Sequence, residues 1–196
     1  MRKAFVLTCD PSSARSLFSK HILEKVGFNV IFFKCIPNDN KVLSNKISML
    51  KIYEIIKNGD DEWAYVFEDD INILQDIDIT EIIQYELIST HFFYLGVCIP
   101  NYNHYQLFNN VQIKGHRINM VTGGVRGLHA IALSKLGAKK LLAFEQNYKN
   151  YEYMDMILEK FSEKYPANVV RYDLQSYIYG HRGIFFQDRI RFPSSI

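Results

Sequence analysis

The chain has 196 residues, of which 48% are hydrophobic and 22% are charged, and its formal net charge is +2. This length and composition predict a single globular domain over residues 1–196 that buries a real core. The small net charge argues against electrostatic binding to nucleic acid or to a membrane surface. No apolar run is long enough for a transmembrane helix.

Cysteine usage and the N-terminus bear on the compartment. The cysteines Cys9, Cys35 and Cys98 each lie in or beside an apolar run. An odd number without a paired motif predicts buried, reduced thiols rather than a disulfide framework or a zinc site. The segment Met1–Phe5 is charged and lacks the apolar core of a signal peptide. We therefore expect a cytoplasmic protein.

The first part of the chain alternates predicted strands and helices. Apolar periodicity places Leu17 on the core face of the first helix, together with Phe18, Ile22 and Val26. The predicted strands are Ala4–Cys9, Asn29–Ile36 and Trp63–Phe67, and the predicted helices are Ala14–Val26 and Leu43–Lys57. This order predicts a doubly wound, Rossmann-like α/β domain with a mostly parallel central sheet flanked by helices.

An acidic triplet follows the buried strand Trp63–Phe67. Glu68, Asp69 and Asp70 would repel one another unless a cation lay among them, and hard oxygen ligands suit Mg²⁺ or Mn²⁺. Strand alternation predicts Glu68 and Asp70 on one side of the chain and Asp69 on the other. In an open α/β sheet, ligands bind beyond the carboxyl ends of the strands, where this triplet lies. The alternative is a solvated acidic turn.

The second part of the chain mixes strands, helices and one long segment without periodicity. The predicted elements are helices at Thr80–Leu87, Lys135–Phe144 and Glu152–Lys164, strands at Phe92–Ile99, Leu128–Leu133 and Val169–Tyr172, and a loop at Pro100–Gly115.

Four segments carry a resemblance to a known family. They are Val6–Thr8 with Arg15, Ser48–Ile52 with Trp63–Ile71, Gly127–Leu142, and Asp155 with the tail Gly180–Ile196. In this order they resemble the glycosyltransferases of family 25, which include lipopolysaccharide-synthesis sugar transferases and collagen galactosyltransferases. Met49 stands where that family usually has histidine. The resemblance implies a GT-A fold, a nucleotide-sugar donor and a divalent metal held by the triplet. It also implies a nucleotide-sugar half over about residues 1–75 and an acceptor half over about residues 76–196.

Metal ligands are expected from the triplet and the tail. Glu68 and Asp70 are the candidate ligands for Mn²⁺ or Mg²⁺, with His181 from the tail as a further ligand. Asp69 is expected to contact the donor sugar or ribose, although the adjacent position also lets it serve as a ligand. The alternative for His181 is an ordinary exposed tail histidine.

Donor contacts are expected at the first strand end and in the tail. Thr8, Asp10 and Arg15 are candidates for the base and ribose, and the alternative for Asp10 is a helix cap. Arg182 and Arg189 are candidates for bidentate pairing with the diphosphate. The alternative for these arginines is a solvated surface role.

Catalysis by direct displacement requires a base for the acceptor hydroxyl. Asp155 is the candidate and Glu152 the nearby alternative, whereas a carboxylate complementing a helix N-terminus is the structural alternative. The predicted function is metal-dependent transfer, with inversion, from a nucleotide diphosphate sugar, expected to be a UDP-sugar, to a glycan or glycoconjugate hydroxyl. The competing hypotheses are a non-catalytic nucleotide- or sugar-binding domain and a nucleotidyltransferase.

Overall fold

The computed structural model describes residues 1–98, 106–113, 116–176 and 180–193. The helices are α1 (Ala14–Val26), α2 (Lys41–Asn58), α3 (Ile79–Glu86), α4 (Lys135–Glu145) and α5 (Met154–Lys164). The strands are β1 (Arg2–Thr8), β2 (Phe28–Lys34), β3 (Trp63–Glu68), β4 (Ile71–Ile73), β5 (Phe92–Cys98), β6 (Gln106–Ile113), β7 (His116–Thr122), β8 (Arg126–Ser134), β9 (Ala167–Val169), β10 (His181–Gly183) and β11 (Phe185–Gln187). All the predicted helices are confirmed to within two residues at either end.

Side-chain caps explain where most of these helices begin. Ser13 accepts a hydrogen bond from the backbone N–H of Ser16 at the start of α1, and Ser134 does the same for Gly137 at the start of α4. Each cap satisfies one of the amide groups that a helix N-terminus leaves without a partner. Ser13 and Ser134 are therefore the N-caps of α1 and α4.

One large mixed sheet joins strands from both halves of the chain. Its order is β2-β1-β3-β8-β5-β9-β7-β6, with β10 also paired to β5. The pairs β1–β2, β1–β3 and β5–β9 are parallel, whereas β3–β8, β5–β8, β5–β10, β6–β7 and β7–β9 are antiparallel. The Rossmann-like expectation thus holds for the first three strands, but the sheet as a whole is mixed because β8 inserts in the opposite direction between β3 and β5.

Helices cover both faces of the sheet. The core stripe of α2, which runs from Met49 to Ile56, packs in one cluster with α4 and α5. The opposite face packs against α1 and α3, with Ile22 and Ile82 fully or nearly buried. This three-layer arrangement leaves the carboxyl ends of β1 and β3 as an accessible edge of the fold.

The buried face of α1 is more polar than its apolar periodicity predicted. Leu17 is 52% exposed, so its assignment to the core face is wrong. Ser16 and Ser19 are buried instead, and the Ser19 hydroxyl donates to the carbonyl oxygen of Asp69 at 2.8 Å. Hydrogen bonding to the acidic segment therefore decides which face of α1 turns inward.

Two segments that looked irregular in sequence contain strands. Gln106–Ile113 is strand β6, so the loop predicted at Pro100–Gly115 is wrong there, and its remaining positions lie outside the described residues. In the tail, β10 pairs with β5 and β11 pairs with β4. Between them, Ile184 is fully buried. The tail is thus built into the fold as far as residue 193, and the Ser195-Ile196 part of the resemblance lies beyond the described residues.

Cys9 and Cys35 form a disulfide that joins the ends of β1 and β2. Both residues follow parallel neighbouring strands, which brings their Cα atoms to 4.9 Å. The expectation of reduced, buried thiols is therefore wrong for this pair, and Cys9 is exposed. The basis for predicting a cytoplasmic location is lost with it. Within the parts of the chain that the structure describes, no helix has the length and apolar character to cross a membrane.

Candidate functional site

The acidic triplet lies at the edge where parallel strands end. Leu7 of β1 is opposite Glu68 of β3 in the strand register. Because the carboxyl ends of parallel neighbours meet at one edge, the segment after β1 and the triplet after β3 are neighbours in space. Polar residues from two strand ends are therefore neighbours at this edge.

Asp69 and Asp70 both form ion pairs with the guanidinium group of Arg15. Strand β3 ends at Glu68, and the two aspartates form a turn before β4. Arg15 Nε lies 2.9 Å from Asp69 Oδ1, and Arg15 Nη2 lies 3.4 Å from Asp70 Oδ2. The predicted alternation, with Asp69 and Asp70 on opposite sides, is therefore wrong, since the chain has left the extended conformation that alternation requires.

Asp70 is the most deeply buried member of the triplet. Its exposed fraction is 4%, and its Oδ1 atom has no hydrogen-bond partner among the described residues. Its backbone carbonyl accepts from the N–H of Asp188 at 2.8 Å, which ties the triplet to the tail. Burial raises the pKa of Asp70; the charge of Asp69 adds to this rise, and the guanidinium groups of Arg15 and Arg189 oppose it.

Glu68 lies between two side-chain amides. Gln187 Nε2 donates to Glu68 Oε2 at 2.7 Å, and Asn45 Nδ2 donates to Oε1 at 3.4 Å. Burial, followed by the charges of nearby aspartates that include Asp70 and Asp155, raises the pKa of Glu68 to about 8. A carboxyl group in this environment is stabilised by a proton or by a cation placed beside it.

The two candidate tail arginines have different surroundings. Arg189 Nη2 donates to Gln187 Oε1 at 3.2 Å, so a continuous chain of hydrogen bonds runs from Arg189 through Gln187 to Glu68. The Arg182 guanidinium instead lies 4.9 Å from the ring centre of Tyr172. Of the two, Arg189 is the one that the structure links to the triplet.

His181 is buried and lies beside a second histidine. It is 2% exposed, so its interpretation as an exposed tail histidine is wrong, and its ring centre lies 5.1 Å from that of His129. Burial and the charge of Arg189 lower the pKa of His181 to about 4. Among the residues that the structure describes, no three His, Cys, Asp or Glu side chains converge as a metal site. The structure therefore does not assemble Glu68, Asp70 and His181 as one ligand set.

Asp155 and Glu152 differ in their relation to the site. Asp155 lies in the first turn of α5, accepts a hydrogen bond from the N–H of Met156 at 2.8 Å, and is near enough to Glu68 for its charge to raise the pKa of that group. Burial raises the pKa of Asp155 itself. Glu152 precedes the helix and is exposed. Asp155 is thus the candidate base that the fold brings beside the triplet.

Thr8 and Asp10 are occupied by local hydrogen bonds. Thr8 is buried and its hydroxyl lies 2.6 Å from Ser16 Oγ. Asp10 is exposed, and its Oδ1 atom accepts from both the N–H and the hydroxyl of Ser12, which lowers the pKa of Asp10. Asp10 therefore orders the turn that leads into α1, and Ser13 is the helix cap.

The triplet fits a divalent cation that takes most of its ligands from elsewhere. Mg²⁺ is commonly held by one or two carboxylates, with the remaining positions filled by water and substrate phosphates. Asp70 Oδ1 is a buried carboxylate oxygen without a described hydrogen-bond partner, and burial together with nearby negative charges raises the pKa of Glu68. Arg15 pairs with Asp69 and with the other oxygen of Asp70, so Glu68 and Asp70 Oδ1 are the positions where a further cation would be stabilised.

Sequence reasoning missed Asn45 as a site residue. Its side chain approaches Glu68 from the second turn of α2. The signal present in the sequence was that Asn45 precedes the core residue Met49 by one helical turn, which points both side chains toward the sheet. Gln187 belonged to the resembling tail, but its bond to Glu68 required the pairing of β11 with β4.

Comparisons with known proteins give no family assignment. No family model matches the chain, and no curated protein matches it. Solved structures with partial likeness include A197 from STIV, with 12% identity, a TM-score of 0.42, and 73% of this chain and 68% of that chain covered. HddC from Yersinia pseudotuberculosis has 14% identity, a TM-score of 0.39 and coverages of 81% and 84%. The apo-form glycosyltransferase GlyE of Streptococcus pneumoniae TIGR4 has 13% identity, a TM-score of 0.40 and coverages of 85% and 44%. Likeness at these levels carries no argument about function.

Proposed function

We propose that this chain is a glycosyltransferase of the family 25 type, with a GT-A arrangement. It would transfer a sugar, with inversion, from a nucleotide diphosphate sugar such as a UDP-sugar to a hydroxyl of a glycan or glycoconjugate. The observation that carries the proposal is the carboxylate cluster Glu68–Asp70 at the carboxyl ends of parallel strands, with the half-buried carboxylate of Asp155 close enough for its charge to raise the pKa of Glu68.

The donor diphosphate would lie among the triplet and the arginines that approach it. When held by Glu68 and Asp70, Mg²⁺ or Mn²⁺ supplies Lewis-acid neutralisation of the leaving diphosphate. Arg189 is exposed at this edge and retains donors for phosphate oxygens beyond its bond to Gln187. The exposed carboxylate of Asp10 lies on the adjacent strand end, a position suited to the hydroxyl groups of a ribose.

Asp155 would remove the proton from the acceptor hydroxyl. Burial raises the pKa of Asp155, which brings the carboxylate nearer to the pKa that suits a base at neutral pH. The hydrogen bond from the N–H of Met156 holds one carboxylate oxygen. The other oxygen would then accept the proton from the acceptor hydroxyl. Asp155 would stay neutral until that proton is released to solvent.

The substitution Asp155→Asn tests this assignment. It preserves side-chain shape but removes the base, so transfer should fall by about 10²–10⁴-fold while the melting temperature stays within a few degrees. Glu163→Gln is the matched control, since it makes the same change of charge at an exposed position of the same helix. The assay must follow sugar transfer, because hydrolysis of the donor by water does not require the acceptor base.

The outcome also separates the competing hypotheses. If Asp155→Asn keeps transfer near the parental rate and Glu152→Gln abolishes it, Glu152 is the base. A parent protein that binds nucleoside diphosphates but transfers sugar to no acceptor in a broad glycan panel would favour the binding-domain hypothesis. Formation of a nucleotide sugar from a nucleoside triphosphate and a sugar phosphate would instead favour a nucleotidyltransferase.

A further inference from the structure

The acidic triplet already has a cation of its own. Arg15 makes two ion pairs there, 2.9 Å from Asp69 and 3.4 Å from Asp70, and its side chain is 23% exposed. The planar guanidinium thus bridges two carboxylates that follow each other directly in the chain. Glu68 is held by neutral amides instead, so the positive charge of Arg15 is directed at one part of the triplet.

The start of helix α1 fixes the position of Arg15 relative to the aspartates. Arg15 is the second residue of α1 and follows the capping serine, Ser13, by two positions. Ser19, one turn later, donates to the carbonyl oxygen of Asp69. Helix α1 therefore contacts the acidic turn twice, through the hydrogen bond of Ser19 and through the ion pairs of Arg15, and these contacts hold the guanidinium beside the carboxylates.

A divalent cation and this guanidinium would share the carboxylate of Asp70. Asp70 has one oxygen paired with Arg15 and one buried oxygen without a described partner. A cation entering at Asp70 would meet the positive charge of Arg15 about 4 Å away, where like charges repel even in a high dielectric. Occupation by the metal and close pairing by Arg15 therefore oppose each other.

We propose that Arg15 is the resident counter-ion of the triplet and that a divalent cation binds by displacing it from Asp70. This deepens the proposed function, on which it rests, by assigning to Arg15 a regulatory role in metal entry. The released guanidinium, still anchored on α1, becomes available to an anionic group that arrives with the metal, such as a diphosphate. Metal and diphosphate would then favour each other's binding, because each stabilises the arrangement in which Arg15 has left Asp70.

The first test measures binding of Mn²⁺ alone, without nucleotide, by isothermal titration calorimetry and by loss of the free-Mn²⁺ electron paramagnetic resonance signal. Arg15→Gln should bind Mn²⁺ roughly thirtyfold more tightly than the parent, which is the effect of removing one unit charge about 4 Å from a divalent cation in the limit of a water-like dielectric. Lys20→Gln is the matched control, since it removes the same charge from the same helix where Lys20 pairs with Glu24. Equal affinity of Arg15→Gln and the parent, or no binding by either, overturns the proposal.

The second test uses the unaltered protein, because Arg15→Gln leaves two aspartates unpaired and so risks the fold. Addition of Mg²⁺ should shift the Nη2–H resonance of Arg15, the group that pairs with Asp70, and accelerate its exchange with water, while the Nε–H resonance of Arg126, paired with Glu159 at 3.0 Å, stays unchanged. Binding of Mg²⁺ with an unperturbed Arg15 resonance overturns the proposal. Neither measurement involves sugar transfer, so the counter-ion role can hold even if the chain proves not to be a glycosyltransferase, and it can fail while transfer is observed.

Discussion

Replacing Glu68 with glutamine should stabilise the metal-free protein at alkaline pH. Glu68 is held between Asn45 and Gln187 in a negative, buried environment. The substitution keeps the shape of the side chain and removes the charge that this environment opposes. Glutamine can still accept from one of the two amides, and the other amide can reorient to accept from it.

The sign and size follow from the pKa of Glu68. Its ordinary value is 4.5, and the folded environment raises the pKa to about 8. Between these pH values the folded state binds more protons than the unfolded state. The contribution of protonated Glu68 to the unfolding free energy is therefore fully present below pH 4.5 and is lost as the pH rises through 8. At ~1.4 kcal/mol for each unit of difference in pKa, the full loss is at most a few kcal/mol. The Glu68→Gln variant should lack this loss.

Urea denaturation in a chelating buffer at pH 5, 7 and 8.5 measures the effect. The difference in unfolding free energy between Glu68→Gln and the parent should grow with pH across this series. The lowered pKa values of His129 and His181 act in the opposite direction, increasing stability as the pH rises toward 6.5, but they are common to both proteins and cancel in the difference. Glu152→Gln, at an exposed position, should show no such trend. A difference for Glu68→Gln that stays constant or shrinks as the pH rises would refute the reasoning.

Three further predictions concern stability, each measured by denaturant unfolding against the parent. Gly137→Ala should destabilise, although alanine is the better helix former by about 1 kcal/mol, because the added Cβ would collide with the backbone of His91; a gain in stability would contradict the close approach. Lys46→Met should lower the unfolding free energy by roughly 3–5 kcal/mol, since Lys46 forms a buried ion pair with Glu145 and its loss leaves that carboxylate without a cation. A neutral result would mean that Glu145 is protonated or hydrated in the variant. Reduction of the Cys9–Cys35 disulfide, whose cysteines are 26 residues apart, should cost about 3–4 kcal/mol. The same reductant should have no effect on a Cys35→Ser variant, and equal stability of the parent in its oxidised and reduced forms would contradict the assigned pairing.

Local sequence signals predicted the five helices of this fold well. The helix over Ala14–Val26 was predicted with the bounds that the structure gives, because a capping serine precedes it and Gly27 ends it in a left-handed conformation. The buried residues of α2 also follow helical spacing, at Met49, Ile52, Tyr53 and Ile56. These features depend on hydrogen bonds and side-chain spacing within one or two turns, so the sequence contains all that determines them.

The direction and partners of the strands depended on the tertiary structure. The sequence shows β8 as an apolar run, but its opposite direction between β3 and β5 is set by how the chain returns to the sheet. The same holds for the tail, where β10 and β11 pair with strands about 85 and 114 residues earlier along the chain. Periodicity within a segment carries no record of such distant pairing.

The candidate site shows the same division. Sequence alone determined that Glu68, Asp69 and Asp70 follow a buried strand at the carboxyl edge of an α/β sheet. Only the tertiary structure decided that Arg15 neutralises the two aspartates while Gln187 holds the glutamate. The sequence shows which charged residues are adjacent along the chain. The electrostatic environment of each carboxylate depends instead on its burial and on side chains that distant elements bring within a few ångströms.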